Sequence, residues 1–268
     1  MTNSKAGYGR TALITGASGG IGLELSRLFA ADGYNLVVVA RDVEKLRTLA
    51  AQLESEHGTQ VRACPMDLSQ PGAAHALWSD LTNAQVAIDV LVNNAGLGIY
   101  GELWEQDAEA LRRMLVLNVE VLTLLTRYAL PGMLERGWGR ILNLASLLGY
   151  QPGGPRMAAY YGSKSYVLSF SKGLAVELRG TGVTVTALCP GLTKTGFMKH
   201  SGATHTLLDK TPSSSPEIVA RQGYQGLMRG RGVVIPGMLS KLLAFAGELP
   251  PRRIALAVNE RLLRRARI

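Results

Sequence analysis

Cysteine, histidine and long apolar runs are all scarce in this sequence. The two cysteines, Cys64 and Cys189, provide neither a disulfide framework nor the ligand spacing of a metal site, and the four histidines follow no partnering pattern. The apolar runs fall short of the roughly 18 uninterrupted residues that a membrane-spanning helix needs. Residues 1–10 are polar and do not resemble a secretory signal peptide. We therefore expect a cytoplasmic protein that binds no metal.

Acidic residues are also outnumbered, with 20 against 29 lysines and arginines, which gives a formal net charge of +9. The excess is concentrated in residues 241–268, which contain seven basic and two acidic residues. Nucleic-acid binding requires a basic stripe on a recognisable module. The sequence contains no such module, so we expect no nucleic-acid partner. A basic surface would still attract a polyanionic cofactor or an anionic substrate.

Short runs of apolar and β-branched residues recur along the chain, and longer stretches with helical spacing separate them. This alternation predicts βαβ units and a parallel sheet with helices on both faces. The strand runs are almost continuously apolar, as is typical when both faces of a sheet are buried. The predicted strands are Thr11–Thr15, Asn35–Ala40, Gln60–Cys64, Asp89–Asn93, Arg140–Ala145, Val183–Leu188 and Gly232–Ile235. We predict an α/β fold with a doubly wound, parallel, seven-stranded sheet of the Rossmann type.

A glycine-rich turn joins the first predicted strand to the first helix. The segment Thr15–Gly22 reads TGASGGIG. Glycine lets the backbone turn sharply and lie close to a pyrophosphate, and the following helix N-terminus attracts the anion. The spacing departs from the G-x-G-x-x-G fingerprint, so a glycine turn without a ligand is the alternative.

The end of the second strand bears on the choice of dinucleotide. About 20 residues beyond the glycines, where NAD-binding proteins carry an acid for the ribose hydroxyls, the chain has Arg41 followed by Asp42. A guanidinium at this position matches a 2′-phosphate, which favours NADP(H) over NAD(H). If Asp42 faced the ribose instead, NAD would be preferred.

Tyr160 and Lys164 are four residues apart in a predicted helix, so they share one face. An ammonium about 4 Å from the phenol would contribute about 4 kcal/mol at an effective dielectric near 20. We expect this to lower the pKa of Tyr160 towards neutrality, where acid–base catalysis is most efficient. Ser146, at the end of the fifth strand, could orient a carbonyl oxygen. The alternative for Tyr160 and Lys164 is a surface i,i+4 pair without a catalytic role, and the alternative for Ser146 is a strand-end hydroxyl that bonds only local backbone.

Taken together, these motifs resemble those of the short-chain dehydrogenase/reductase family over about residues 10–235. The matching segments are Thr15–Gly22, Asp67-Leu68, Asn93-Asn94-Ala95-Gly96, Asn118, Ser146, Tyr160-x-x-x-Lys164 and Pro190-Gly191. The resemblance implies hydride exchange between NADP(H) and a small-molecule carbonyl or alcohol. It implies the catalytic residues Ser146, Tyr160, Lys164 and Asn118. It also implies the cofactor-binding residues Gly16, Ser18, Gly20, Ile21, Gly22, Arg41, Asp67, Leu68, Asn94, Lys164, Pro190, Gly191 and Thr193.

The resemblance further implies individual roles. Asp67 and Leu68 would flank the adenine, Asn94 would lie near the adenosine ribose, and Asn118 would shape the active-site helix and position a water. The chain departs from the family in carrying one extra residue between Ser146 and Tyr160. Residues 97–104, 147–157 and 192–215 would line an apolar substrate pocket. The alternative function is a non-catalytic NADP-binding sensor or scaffold on the same fold.

The end of the chain is predicted to be a helical extension. We assign residues 1–235 to one dinucleotide-binding and catalytic domain, and residues 236–268 to an amphipathic, basic extension. Peripheral membrane contact through residues 250–268, packing on the body and packing on a second subunit are all compatible with this pattern. The family resemblance implies a homodimer or a homotetramer.

The composition of residues 191–215 predicts a functional lid or a disordered loop. We expect a helix to follow this loop, with Ser215 as its N-cap.

Overall fold

The computed structural model describes residues 6–263, with the exception of 205, 208–210 and 249–251. Its strands are β1 (Thr11–Thr15), β2 (Asn35–Ala40), β3 (Val61–Pro65), β4 (Val90–Asn93), β5 (Gly139–Leu144), β6 (Val183–Leu188) and β7 (Val233–Val234). All neighbouring pairs are parallel, and the order across the sheet is β3-β2-β1-β4-β5-β6-β7. This confirms the predicted doubly wound, seven-stranded parallel sheet, and each strand end lies within one residue of its prediction.

Helices connect the strands and cover both faces of the sheet. They are α1 (Gly20–Ala31), α2 (Val43–His57), α3 (Ala73–Asn83), α4 (Ala108–Leu115), α5 (Leu122–Glu135), α6 (Ala158–Glu177), α7 (Phe197–Ser201), α8 (Pro216–Met228), α9 (Met238–Glu248) and α10 (Arg252–Leu262). Side chains along a strand alternate between the faces. Ile14 and Val38 therefore pack with Phe29 of α1, whereas Leu13 and Val37 pack in a separate cluster. With both faces covered, the strand ends are the part of the sheet open to a ligand.

One local prediction is confirmed and another is incomplete. The Ser215 hydroxyl accepts a hydrogen bond from the Ile218 N–H, so Ser215 caps α8 as predicted. The predicted loop 191–215 contains α7 and a bridge between Thr193 and Ser214. A π-helical segment, Val116–Val121, separates α4 from α5.

The helical stretch of residues 108–135, which comprises α4, the π-helical segment and α5, is long and apolar enough to cross a membrane by length and mean hydropathy. Within it, Leu125, Ala129 and Met133 are buried in the core beneath the sheet. Buried core helices pass the same test, so the finding is weak evidence for a span.

The C-terminal extension is helical, as predicted, and consists of α9 and α10 rather than one helix. Both pack on the rest of the chain. Gln151 donates a hydrogen bond to the Leu243 carbonyl of α9, and Asn259 of α10 donates one to the Gly153 carbonyl. Pro250, Pro251 and residues 264–268 lie outside the described residues. The domain boundary at residue 235 stays a prediction.

Candidate active site

The predicted site segments converge on the carboxyl edge of the sheet. The chain winds in opposite directions on the two sides of the β1–β4 pair, and ligands of such sheets bind at this switch point. The glycine turn follows β1, Asn94 follows β4, Ser146 follows β5 and Pro190 follows β6. Arg41 and Asp67 follow β2 and β3 at the same edge. The fold therefore gathers residues from distant parts of the sequence into one site.

The glycine turn between β1 and α1 is closely packed on one side and open on the other. Gly16 has a φ of +69°, a conformation that disfavours other residues. A Cβ at Gly22 would overlap the Gly16 carbonyl oxygen. A Cβ at Gly19, by contrast, would meet no atom within 4 Å. Packing within the protein therefore requires glycine at positions 16 and 22, whereas the space beside Gly19 can take a ligand.

The N-terminus of α1 suits an anion. No side chain caps this helix, and the first N–H groups of a helix lack intrahelical acceptors and lie at the positive end of its dipole. Ser18, Gly20 and Ile21 are part of this turn, and Ser18 is half-buried. The turn thus fits the pyrophosphate of a dinucleotide, with these residues and the two packed glycines around it.

Asn94 holds the glycine turn in place. Its amide nitrogen donates hydrogen bonds to the carbonyl oxygens of Thr15 (2.8 Å) and Gly16 (3.1 Å). The Thr15 hydroxyl accepts bonds from the backbone N–H groups of Asn94 and Ala95, each at 3.0 Å. Asn94 thus supports the central strands, and Thr15 is a second anchor that the motif contains but that we assigned no role.

Arg41 and Asp42 occupy different surroundings at the end of β2. The Asp42 carboxylate caps α2 by accepting a hydrogen bond from the Lys45 N–H, and it also forms a 2.9 Å ion pair with the Lys45 ammonium. Arg41 is exposed. Because the carboxylate is engaged with its own helix, Arg41 is the better placed of the two for a ribose substituent.

Asp67 and Leu68 lie beyond β3, where a third residue joins them. The Asp67 carboxylate accepts hydrogen bonds from Ser69 and forms a 3.1 Å ion pair with Arg113 of α4. Arg113 also donates to the Ser69 hydroxyl. Leu68 is buried. Sequence analysis did not single out Arg113, because its partner lies far away in sequence and only the fold brings them together.

Tyr160, Lys164 and Ser146 meet beneath this edge. Tyr160 and Lys164 lie on α6 as predicted, both buried, with the Lys164 ammonium 5.8 Å from the centroid of the Tyr160 ring. The ammonium donates one hydrogen bond to the Leu144 carbonyl at the end of β5 (2.8 Å). The Ser146 hydroxyl accepts a bond from the Leu148 N–H (3.1 Å). The alternative of a surface i,i+4 pair is wrong, because Tyr160 and Lys164 are both buried.

Asn118 lies in the π-helical segment. Its amide oxygen accepts a hydrogen bond from the Leu97 N–H, and its amide nitrogen donates to the Leu97 carbonyl and to the Ser163 hydroxyl. The Ser163 hydroxyl in turn donates to the Tyr160 carbonyl. Asn118 therefore ties the strand-edge loop after β4 to the helix that carries Tyr160.

A family model described as short chain dehydrogenase matches residues 10–206. The chain belongs to the short-chain dehydrogenase family. It is therefore an oxidoreductase that acts on CH–OH or C=O groups with a nicotinamide cofactor.

Individual relatives agree with this assignment. The ketoacyl reductase HetN of Nostoc sp. is 30% identical over 256 residues, covering 92% of this chain and 87% of that protein. A short chain dehydrogenase of Pseudocercospora fijiensis is 36% identical over 187 residues, but this chain spans only 59% of its length. Among solved structures, a short-chain dehydrogenase from Sphingobium yanoikuyae in complex with NADPH is 33% identical, with a TM-score of 0.80, and the match covers 96% and 98% of the two chains.

Burial controls the protonation of the Tyr160–Lys164 pair in this short-chain dehydrogenase. Desolvation raises the pKa of Tyr160 above its usual value, and a hydrogen bond with Ser146 offsets part of the effect. Desolvation also lowers the pKa of Lys164, to about 8. The predicted lowering of the Tyr160 pKa by the ammonium is therefore wrong for this structure, because burial disfavours the charged form of both groups.

The segment after β6 reaches both halves of the short-chain dehydrogenase site. The Pro190 carbonyl accepts a hydrogen bond from the Leu147 N–H, and the Thr193 hydroxyl donates to the Gly191 carbonyl. A Cβ at Gly20 would lie 3.0 Å from the Thr195 methyl group, so Thr195 covers the glycine turn. Gly20 and Thr195 lie far apart in sequence, so only the fold brings them together. Thr195 was not among the predicted residues.

An apolar cluster surrounds Tyr160. It contains the Phe197 ring, 5.2 Å from the Tyr160 ring between centroids, and Leu263, which is fully buried. The remaining members come mostly from the three predicted segments and include Leu97, Ile99, Leu148, Met157, Leu192 and Met198. The contribution of Leu263 could not be predicted, since the extension reaches the cluster only through the tertiary fold.

Proposed function

We propose that this protein is an NADP(H)-dependent reductase that interconverts a carbonyl group and a primary or secondary alcohol, with Tyr160 as the proton-transfer residue. The observation that carries the proposal is the meeting of buried Tyr160, Lys164 and Ser146 beside an uncapped helix N-terminus. A protein that merely sensed the dinucleotide would not need these three groups together. The apolar cluster around Tyr160 supports an apolar or lipid-like substrate.

The proposed roles follow from the hydrogen bonds. The Ser146 hydroxyl accepts one bond from the Leu148 N–H and is hydrogen-bonded to Tyr160, so Ser146 and Tyr160 can share one substrate oxygen between them. Lys164 uses one of its three donors on the Leu144 carbonyl and keeps two for a ribose or for Tyr160. Asn118 is a positioning residue, because its amide oxygen and both bonds of its amide nitrogen go to Leu97 and Ser163.

Tyr160 is proposed as the general acid in the reducing direction. Burial raises the pKa of Tyr160, so the phenol carries its proton at neutral pH, which is the form that can donate to a carbonyl oxygen. A bound nicotinamide cofactor would supply the hydride for the carbonyl carbon. Gly16, Ser18, Gly20, Ile21 and Gly22 would hold its pyrophosphate. The proposed contacts elsewhere on the cofactor are Arg41, Asp67, Leu68, Asn94, Lys164, Pro190, Gly191 and Thr193.

The proposal is tested by following NADPH oxidation with a panel of carbonyl compounds. Ketones, aldehydes and 3-oxoacyl thioesters of increasing chain length should include at least one substrate, and kcat/KM should rise with apolar length because the pocket buries apolar surface. NADPH binding is measured separately by fluorescence titration. Binding without turnover of any compound would favour the sensor or scaffold function instead.

Arg41→Ala should weaken the preference for NADPH. A guanidinium–phosphate hydrogen bond contributes about 1.5–3 kcal/mol, so KM for NADPH should rise by about tenfold to a hundredfold. KM for NADH should change little, since NADH lacks the 2′-phosphate. The matched control is Arg47→Ala, which removes an exposed arginine of α2 and the same charge. An unchanged NADPH-to-NADH ratio in Arg41→Ala would remove Arg41 from phosphate recognition.

A further inference from the structure

The α9 helix presents its small residues to the body of the protein and its large apolar residues to the outside. Ala244 and Gly247 are buried, and a Cβ at Gly247 would lie 2.8 Å from the Tyr150 carbonyl oxygen. Leu242 and Phe245 are each 63% exposed, and Met238 is 81% exposed. A helix on a water-exposed surface normally has the opposite arrangement. The outer face of α9 is therefore built for contact with another apolar surface.

The α10 helix repeats this arrangement. Asn259 and Leu263 are buried against the body, whereas Ile254 and Val258 are more than half exposed one turn apart. Arg261, on the next turn of that face, is exposed as well. Apolar side chains with a cation at their border are typical of helices that lie in a membrane interface.

The charge of this segment distinguishes between two possible partners. Residues 241–268 contain seven basic and two acidic residues. Within α9 and α10 themselves four residues are basic and two are acidic. If a second copy covered these helices by twofold symmetry, two segments of net positive charge would face each other and repel. An anionic lipid surface attracts the same charge and accepts the apolar side chains.

The extension is also fixed to the substrate side of the site. The Tyr100 hydroxyl donates a hydrogen bond to the Leu263 carbonyl, and Asn259 donates to Gly153. The buried Leu263 side chain belongs to the apolar cluster that contains Tyr160. Any surface that binds α9 and α10 would thus lie next to the apolar cluster that contains Tyr160.

From these observations we propose that α9 and α10 bind anionic membrane surfaces, with the substrate side of the enzyme turned towards the lipid. The outer face of α9 enters the interface, and basic residues such as Lys241 and Arg261 contact lipid headgroups. Delivery of a lipid-soluble carbonyl compound from the membrane rests on the proposed function, whereas the binding itself does not.

The test compares co-sedimentation of the full-length protein with vesicles of phosphatidylcholine alone and with about one third phosphatidylglycerol. We expect binding to the anionic vesicles that weakens at high salt, and weak binding to the neutral ones. Leu242→Glu combined with Phe245→Glu should weaken binding by about tenfold or more, because two charges would enter the apolar layer. The matched control is Ile218→Glu, at an exposed apolar residue of α8, which should bind like the wild type.

Two results would overturn the proposal. One is that the wild type and both variants show the same negligible co-sedimentation with both kinds of vesicle. The other is a mass in light scattering that falls from dimer to monomer in the double variant alone, which would make this face a contact between copies. Turnover of a water-soluble ketone without vesicles should be the same in all three proteins. Loss of binding with intact turnover is thereby distinguished from failure of the reductase assignment.

Discussion

Tyr160→Phe is expected to lower kcat by about a hundredfold to ten-thousandfold, which is the usual contribution of a positioned acid or base. The variant keeps the aromatic ring that is buried beside Phe197 and removes only the hydroxyl. The free energy of unfolding should therefore change little, and NADPH affinity should stay within about threefold of the wild type, or about 0.7 kcal/mol. Steady-state kinetics with the best carbonyl substrate and a fluorescence titration with NADPH measure the two effects.

Tyr161→Phe is the matched control for this prediction. Tyr161 is also buried on α6, and it packs against Gly154 and Leu263. This substitution removes a phenolic hydroxyl from the neighbouring residue. Because Tyr161 has no proton-transfer role, kcat should stay within about threefold of the wild-type value. If the two variants have similar kcat values, Tyr160 is not the proton-transfer residue.

The second large effect is expected at Gly22, where a methyl group has no room. In Gly22→Ala the new Cβ would overlap the Gly16 carbonyl oxygen and the Asn94 amide. Overpacking costs about 1–3 kcal/mol of the free energy of unfolding, and more where backbone cannot shift. Any relief moves the glycine turn, so affinity for NADPH should also fall by about tenfold or more.

Gly173→Ala supplies the comparison. Gly173 lies within α6, is exposed, and a Cβ there would meet nothing within 4 Å. Alanine should raise the free energy of unfolding by about 0.5–1 kcal/mol, because it restricts the unfolded chain. Urea unfolding of both variants and NADPH titration provide the measurements. A Gly22→Ala protein with wild-type stability and affinity would show that this turn tolerates a side chain.

The fold and most of the dinucleotide edge could be predicted because their signals are local. A buried parallel strand is a short apolar run, which is why the bounds of β1 and β2 agree with their predictions to the residue. The glycine turn is just as local. Gly22 is restricted by the Gly16 carbonyl six positions away, and Gly16 by its own positive φ, so the sequence itself carries these two constraints. The contacts of Gly16 with Asn94 and Ala95 arise only in the fold.

The parts that could not be predicted depend on tertiary contacts. The π-helical segment around Asn118 has the same apolar spacing as an α-helix, so periodicity does not reveal it. The Arg113–Asp67 ion pair joins a helix to a distant strand end. The direction of the Tyr160 pKa was predicted wrongly because spacing reports the neighbouring ammonium but not the loss of water around both groups.

The segment after β6 connects the glycine turn with the surroundings of Tyr160. Thr195 lies over the glycine turn, and Phe197, two residues later, packs against the Tyr160 ring. A phosphate bound at the N-terminus of α1 would contact the Thr195 end of this segment, and a substrate bound at Tyr160 would contact its Phe197 end. Thermodynamic linkage makes such coupling reciprocal. Whichever molecule binds first would therefore change the affinity for the second by the same factor.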